Sequence, residues 1–238
     1  MKKVADRCNL KDCFLCRLCV PEWIPAVAVG KENYLLKKGE QLFREGDRVE
    51  GIFFVYEGAM KVHKRWEDQK ELILRFARKG DIVGHLGLGS KPVYPLSATA
   101  LEPSVVCFLP MPFFESTLKV NTDLTYQLMR FFANELQDSQ KRMGDLAHMP
   151  VRSRIAQSIL SLRTQFGVNS SGFIDLEITR QDLASFAGTT YETFFKVSNE
   201  LTREKMIVLS GKNVGILHEQ ALLQLIGDGP ESTPPKSS

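Results

Sequence analysis

The sequence predicts an α+β chain: a small N-terminal β-barrel, a long helix and a C-terminal helical domain. Three observations predict it. Short β-forming runs separated by turn residues recur from Tyr34 to about Leu109, the spacing of a small barrel or jelly roll. From Asn121 to His148 the apolar period becomes helical, with Gly144 the only helix breaker. Thr179 to Lys205 then reads as two short helices around a glycine, the pattern of a helix-turn-helix. A chain of 238 residues is one large domain or two ordinary ones and buries a core without disulfides. With 43% hydrophobic and 25% charged residues, the composition excludes a disordered chain, a collagen-like chain and a disulfide scaffold. A formal net charge of +3 neither requires nor excludes a nucleic-acid partner.

Lys2 and Lys3 have no apolar stretch behind them, so no secretory signal is expected. No apolar run approaches the roughly 18 residues of a membrane span, so no membrane partner is expected either. The expected location is the cytoplasm, where thiols stay reduced and available for metal or redox chemistry. Four of the five cysteines fall between Cys8 and Cys19, and Cys107 stands apart. The expected organisation is a Cys-rich segment over 1–20, a barrel over 21–120, a dimerisation helix over 121–149, a helix-turn-helix domain over 150–227 and a disordered, Pro- and Ser-rich tail over 228–238.

In the barrel, Phe53–Tyr56, Glu71–Phe76 and Val105–Leu109 are β-forming runs. Lys38-Gly39, Glu45-Gly46-Asp47, Glu57-Gly58 and Lys79-Gly80-Asp81 punctuate them. On the long helix Leu124, Leu128, Phe131, Phe132, Leu136 and Met143 recur mostly at three- and four-residue spacings. About 25 helical residues span about 38 Å, too long to hide within one small domain, so this stripe is a homodimer seam. The competing reading packs it on its own barrel. Pro150 ends the helix. Residues 152–166 read as a helix, 167–172 as a loop, and 173–178 alternate like a strand.

In the helix-turn-helix, Thr179 and Asp182 are spaced as a cap, Gly188 suits a helix C-terminus, and Thr189 and Glu192 are spaced as a second capping box. The start of the second helix reaches base edges in the major groove, which places Tyr191, Glu192, Phe195 and Lys196 there. Thr179, Arg180 and Thr190, at the two helix starts, complete the DNA-facing set. Glu192 also has the local explanation of a cap. Over residues 151–227 eight Lys/Arg face seven Asp/Glu, so a basic surface there depends on arrangement rather than net charge. No nucleophile–base pair, metal-hydrolase motif or P-loop occurs, and no enzyme is expected.

Lys38-Gly39-Glu40-Gln41-Leu42-Phe43-Arg44-Glu45-Gly46-Asp47, Tyr56-Glu57-Gly58 and Gly80-Asp81-Ile82-Val83-Gly84, with the element order, resemble the CRP/FNR superfamily of bacterial transcription regulators. The resemblance runs from about Cys13 to Leu225. It implies a cupin-like, cyclic-nucleotide-binding-like sensory barrel, a dimerisation helix and a winged helix-turn-helix. It further implies a homodimer on a palindromic operator in double-stranded DNA, and contact with RNA polymerase. Cyclic-nucleotide members hold the ribose with a Glu and the phosphate with an Arg-Ser pair. Here those positions read His85 and Leu96-Ser97. A phosphate without its Arg loses a bidentate, charge-assisted partner, so this is a degenerate effector pocket and cyclic AMP is not expected to bind in the usual manner.

The FNR branch carries a [4Fe-4S] cluster on three N-terminal cysteines and one in a barrel strand. The resemblance assigns these to Cys13, Cys16, Cys19 and Cys107, and C-x2-C-x2-C is a spacing used by iron–sulfur sites. The gap before the third ligand is shorter than in FNR, so Cys8 is an alternative ligand. Zinc on four thiolates, a vestigial cysteine cluster, a simple thiol sensor, and haem on His63 or His85 stay open as alternatives, as does a small nucleotide-like ligand in the barrel. Oxygen and nitric oxide are both compatible signals. The family pattern Glu-x-x-Ser/Gly-Arg reads here as Glu192-Thr193-Phe194-Phe195-Lys196. Lys196 lacks the bidentate fork of Arg, and Phe195 suits a thymine methyl, so the operator is expected to differ from the standard half-site.

Overall fold

The computed structural model describes residues 1–4, 8–11, 13–65 and 70–227. The tail expected over 228–238 lies outside the described residues. The chain divides into two compact units, Met1–Leu136 and the residues from Gln137 on.

The first unit holds two antiparallel sheets. Strands β1 (Lys2–Val4), β2 (Glu32–Leu36), β4 (Gly51–Glu57), β7 (Ile82–Val83) and β9 (Ser104–Pro110) pair in the order β1-β2-β9-β4-β7. Strands β3 (Gln41–Phe43), β5 (Ala59–Arg65), β6 (Glu71–Arg78) and β8 (Ser97–Ala100) pair in the order β3-β8-β5-β6. At the turn from β4 to β5 Gly58 has φ +87, and a Cβ there would lie 2.3 Å from Ser104 Oγ; only glycine fits both demands.

Strand alternation builds two cores. Phe53 and Val55 of β4 and Val106 of β9 meet Leu36, Met60, Val62 and Ala98 in one. Ile52 and Phe54 of β4, with Cys107 and Leu109 of β9, face the other, which is covered by helices. These are α1 (Phe14–Leu18), α2 (Ile24–Gly30), α3 (Met111–Val120) and the start of α4 (Thr122–His148). The alternation of β9 therefore puts Cys107 on the side of the N-terminal cysteines.

Helix α4 corrects part of the expected dimer seam. Leu124 and Leu128 are 0% and 4% exposed within the chain's own core, and a side chain without exposed surface has none to give a partner. Phe131 and Phe132 pack against the same core and are half-buried. Leu136 and Met143, by contrast, are 60% and 61% exposed, as are Met129 at 60% and Tyr126 at 54%. With exposed Ala133 and Gln140 they form a second stripe, 126-129-133-136-140-143, whose alternating three- and four-residue steps are those of a coiled-coil seam.

The second unit contains the rest of α4, α5 (Val151–Phe166), α6 (Arg180–Phe186), α7 (Tyr191–Arg203), the hairpin β10 (Ile207–Ser210)–β11 (Asn213–Ile216) and α8 (Glu219–Gly227). The strand expected over 173–178 does not form. That stretch makes only isolated bridges, Phe173 to Gly215 and Ile174 to Val168, because it lies against the short hairpin without a continuous partner edge. No helix among the described residues is long and apolar enough to cross a membrane.

Candidate functional site

The helix-turn-helix is fixed first by its caps. Thr179 Oγ1 accepts from the Asp182 N–H at 3.0 Å and donates to Asp182 Oδ2 at 2.6 Å. Gly188 takes φ +62 between the helices. The cap of α7 is Thr190, whose Oγ1 accepts from the Thr193 N–H at 3.2 Å. The box expected from Thr189 and Glu192 is thus displaced by one residue. Glu192 stays exposed on the first turn, and its expected local role as a cap falls away.

The amphipathic α7 buries Phe194, Ser198 and Leu201. Its remaining surface exposes Tyr191 and Phe195 at the flank and Glu192 and Lys196 opposite the buried face, beside exposed Thr190. The Tyr191 and Phe195 rings stack with centroids 6.2 Å apart and an interplanar angle of 25°. The guanidinium of half-buried Arg180, first residue of α6, lies 5.9 Å from the Phe195 ring centre, within cation–π range. The structure therefore brings Arg180, Tyr191 and Phe195 together. Thr179 serves as a cap.

One positioning residue carried no sequence signal. Arg154 of α5 donates from Nε to Ala187 O (3.1 Å), from Nη2 to Gly188 O (3.2 Å), and from Nη1 to Met149 O (2.9 Å) and Leu146 O (3.4 Å). It clamps the helix-turn-helix turn to the end of α4. Its partners are backbone carbonyls, which no residue type announces.

Cys13, Cys16, Cys19 and Cys107, the four expected from the sequence, lie in the helix-covered core of the first unit, and Cys8 is buried as well. Cys13 caps α1, its Sγ accepting from the Cys16 N–H at 3.4 Å. Among the thiols, Cys16 donates to Cys13 and Cys8, and Cys107 donates to Cys8. These bonds hold Cys8 and Cys13 below the usual thiol range and push Cys107 and Cys16 above it. Buried Lys31 adds positive charge that favours the thiolate of both Cys8 and Cys107. Cys19 is pushed up to about 11 by burial and then by the charge of Cys13. Thiol contact therefore joins Cys13, Cys16, Cys8 and Cys107, with Cys19 beside the group. Among the described residues no group of three or more His, Cys, Asp or Glu side chains is placed to hold a metal ion. The donor set nonetheless suits an iron–sulfur cluster: four soft thiols in a dry core.

The effector-pocket residues have separate partners. Leu96 packs on the inter-sheet core. Ser97 Oγ accepts from the Glu45 N–H at 3.0 Å. His85 is 4% exposed and turns to α4, its ring edge-on to Phe131 and Phe132 at 5.0 and 5.5 Å. Its Nε2 lies 3.7 Å from Glu135 Oε2, and neither ring nitrogen makes a hydrogen bond. Burial holds His85 below its ordinary value, Glu135 opposing and Arg75 reinforcing. Arg75 reaches Glu135 at 3.1 Å, the Ile82 carbonyl at 2.6 Å and the Phe131 ring at 5.6 Å. His63 is enclosed, with Nε2 2.9 Å from Thr99 Oγ1 and Nδ1 3.0 Å from Glu71 Oε2, so both nitrogens face protein partners.

Comparison with known proteins defines the class. Residues 35–121 match the family described as cyclic nucleotide-binding domain and residues 153–225 that described as Crp-like helix-turn-helix domain. That pairing is the build of a DNA-binding transcription regulator, not of an enzyme. The chain is 30% identical over 234 residues to the transcriptional activator protein Anr of Pseudomonas protegens, covering 95% of this chain and 96% of that one. It is 28% identical over 229 residues to the fumarate and nitrate reduction regulatory protein of Escherichia coli K12, covering 92% and 90%. The structure of FixK2 from Bradyrhizobium japonicum has the same fold, with a TM-score of 0.73, 23% identity and coverage of 82% of this chain and 96% of that one. The chain belongs to the CRP/FNR family of transcription regulators.

Proposed function

We propose that this regulator acts in the cytoplasm as a homodimer whose DNA binding answers to a [4Fe-4S] cluster held by Cys8, Cys13, Cys16 and Cys107. The burial of all five cysteines, with Cys107 of the barrel strand packed in the same core as the N-terminal Cys13, Cys16 and Cys19, carries the reading. The contacts of Cys8 with Cys16 and Cys107 favour it over Cys19 as the fourth ligand. When bound, the cluster supplies chemistry that responds to oxygen or nitric oxide. The residues supply the rest. Cys8 and Cys13 lean to the thiolate form that ligates iron, and Lys31 offsets negative charge in the core. Phe14, next to Cys13, meets Phe131 of α4 at 5.8 Å, so the ligand segment and the helix share one packed core. A shift in that core biases α4, whose exposed stripe from Tyr126 to Met143 pairs with a second copy. An effector works this way only if it binds two states unequally.

On DNA, Tyr191, Glu192, Phe195 and Lys196 face base edges, and Arg180, Thr179 and Thr190 lie towards the backbone. The two-fold dimer calls for a palindromic operator, and the family implies contact with RNA polymerase. Cyclic AMP is not the effector, because Leu96 stands where the phosphate needs a cation.

The test is anaerobic purification of the wild type and of Cys8→Ser, Cys19→Ser and Cys107→Ser, with iron, sulfide and zinc analysis. Iron and sulfide are expected in the wild type and in Cys19→Ser, and lost in Cys8→Ser and Cys107→Ser. Retention in Cys8→Ser with loss in Cys19→Ser would restore Cys13, Cys16, Cys19 and Cys107 as the ligands. Zinc without sulfide would assign the thiols to zinc.

A further inference from the structure

We infer that Phe195, braced by Tyr191 and Arg180, reads the 5-methyl group of a thymine in each operator half-site. The inference rests on α7 being the recognition helix. Phe195 and Tyr191 are 43% and 40% exposed, one helical turn apart on the exposed side of α7, about a quarter-turn round the helix from buried Phe194. Water-facing positions of a helix normally carry polar side chains; here two rings are stacked on each other instead.

The ring of Phe195 has no donor and no acceptor, so it cannot read the hydrogen-bond pattern of a base edge. The one apolar group in the major groove is the thymine methyl. The stack on Tyr191 and the guanidinium of Arg180, 5.9 Å from the ring centre, hold the ring in one orientation. Little side-chain freedom is then lost on binding. Glu192 and Lys196 flank Phe195 on the same exposed face and serve the neighbouring pairs, Glu192 by accepting from a cytosine amino group. The half-site thus combines an apolar reading with polar ones, and the two have separable chemical signatures.

The experiment begins by selecting bound sequences from a random duplex pool with the full-length protein, purified without air. Each thymine of the selected half-site is then replaced singly by deoxyuridine, which removes only the methyl. One thymine position is expected to lose about fourfold in affinity per half-site, and about 15-fold when replaced in both, from the transfer of one methyl-sized group. In Phe195→Ala the thymine and deoxyuridine operators are expected to bind equally, and Phe195→Leu keeps part of the difference. A wild type indifferent to deoxyuridine at every position overturns the inference, as does an undiminished penalty in Phe195→Ala. A pool that yields no enriched sequence refutes α7 as the recognition helix, and the inference with it. An enriched but deoxyuridine-insensitive site refutes the inference alone.

Discussion

Replacing Arg154 by Ala should loosen the DNA-binding unit. Its guanidinium donates to four carbonyls, three of them at 2.9 to 3.2 Å and one at 3.4 Å. The long bond counts for little. The other three are charge-assisted, yet a surface cavity of about 290 Å³ lined by Arg142, Arg154 and Phe186 lets water reach the orphaned carbonyls. At about 1 kcal/mol for each of three bonds, less partial resolvation, the loss is about 2–3 kcal/mol. That corresponds to roughly 30- to 150-fold faster amide exchange in the elements that open when the clamp goes. Hydrogen-exchange mass spectrometry should place this acceleration in α6 and α7, with the barrel strands unchanged. Arg154→Lys should recover only part of it, because an ammonium cannot span the fork. Exchange within threefold of wild type, or a uniform rise over both units, would refute the clamp.

Leu136→Glu should abolish the proposed homodimer, with sedimentation showing a monomer at concentrations where the wild type self-associates; an unaltered assembly would remove the exposed stripe from the seam. His85 gives the fold a pH dependence. Because burial holds it below its ordinary value of 6.5, the unfolded chain binds a proton that the folded chain refuses. Stability is flat above about pH 6.5 and falls below it, by at most about 1.4 kcal/mol per pH unit. Arg75 and Glu135 are the charged groups facing the ring, and Glu135 is held below the carboxylate range by His85 and Arg75 against its burial, so it stays ionised in that window. Urea titrations should show His85→Phe losing less stability than the wild type between pH 6.5 and about 5, and parallel losses would exonerate His85. Lys196→Ala should weaken operator binding about tenfold or more without changing the melting temperature, in line with the loss of one direct base contact; equal affinity would take Lys196 off the interface.

The sequence made the barrel, the long helix and the helix-turn-helix legible because each depends on a local period. Two faces of α4 were merged into one, since Leu124 and Leu128 obey the same helical spacing as Leu136 and Met143. Only the sheet beneath the first pair tells buried from exposed. The alternation of Phe173 to Ile178 suggested a strand, but a strand also needs a partner edge. The spacing of Cys13, Cys16 and Cys19 suggested three converging sulfurs. Cys19 keeps a helical φ of −69 and the helical bond from its N–H to Leu15 O at 2.9 Å, so the helix carries it about 9 Å along the axis and about a third of a turn round from Cys13. Cys8 is brought in by tertiary structure, beyond the reach of a spacing argument.

The buried amide of Asn121 gives the cysteine segment a fixed end. Its Oδ1 accepts from the Val20 N–H at 2.8 Å, 101 residues away in sequence, while its Nδ2 donates to Thr117 O at 2.8 Å. Trp23, just beyond, donates from Nε1 to Thr117 Oγ1 at 3.1 Å. Cys19 is one residue from this mooring and has almost no slack. Cys8 is twelve residues from it, about 40 Å when fully drawn out, but only four residues from Val4, whose strand β1 is paired with β2. The cysteine segment is therefore tied at both ends, and whatever rearranges the sulfurs must bow the chain between Val4 and Val20, like a handle fixed at two points. A chain shortened between Cys8 and Cys13 would keep both fixings and lose the slack between them.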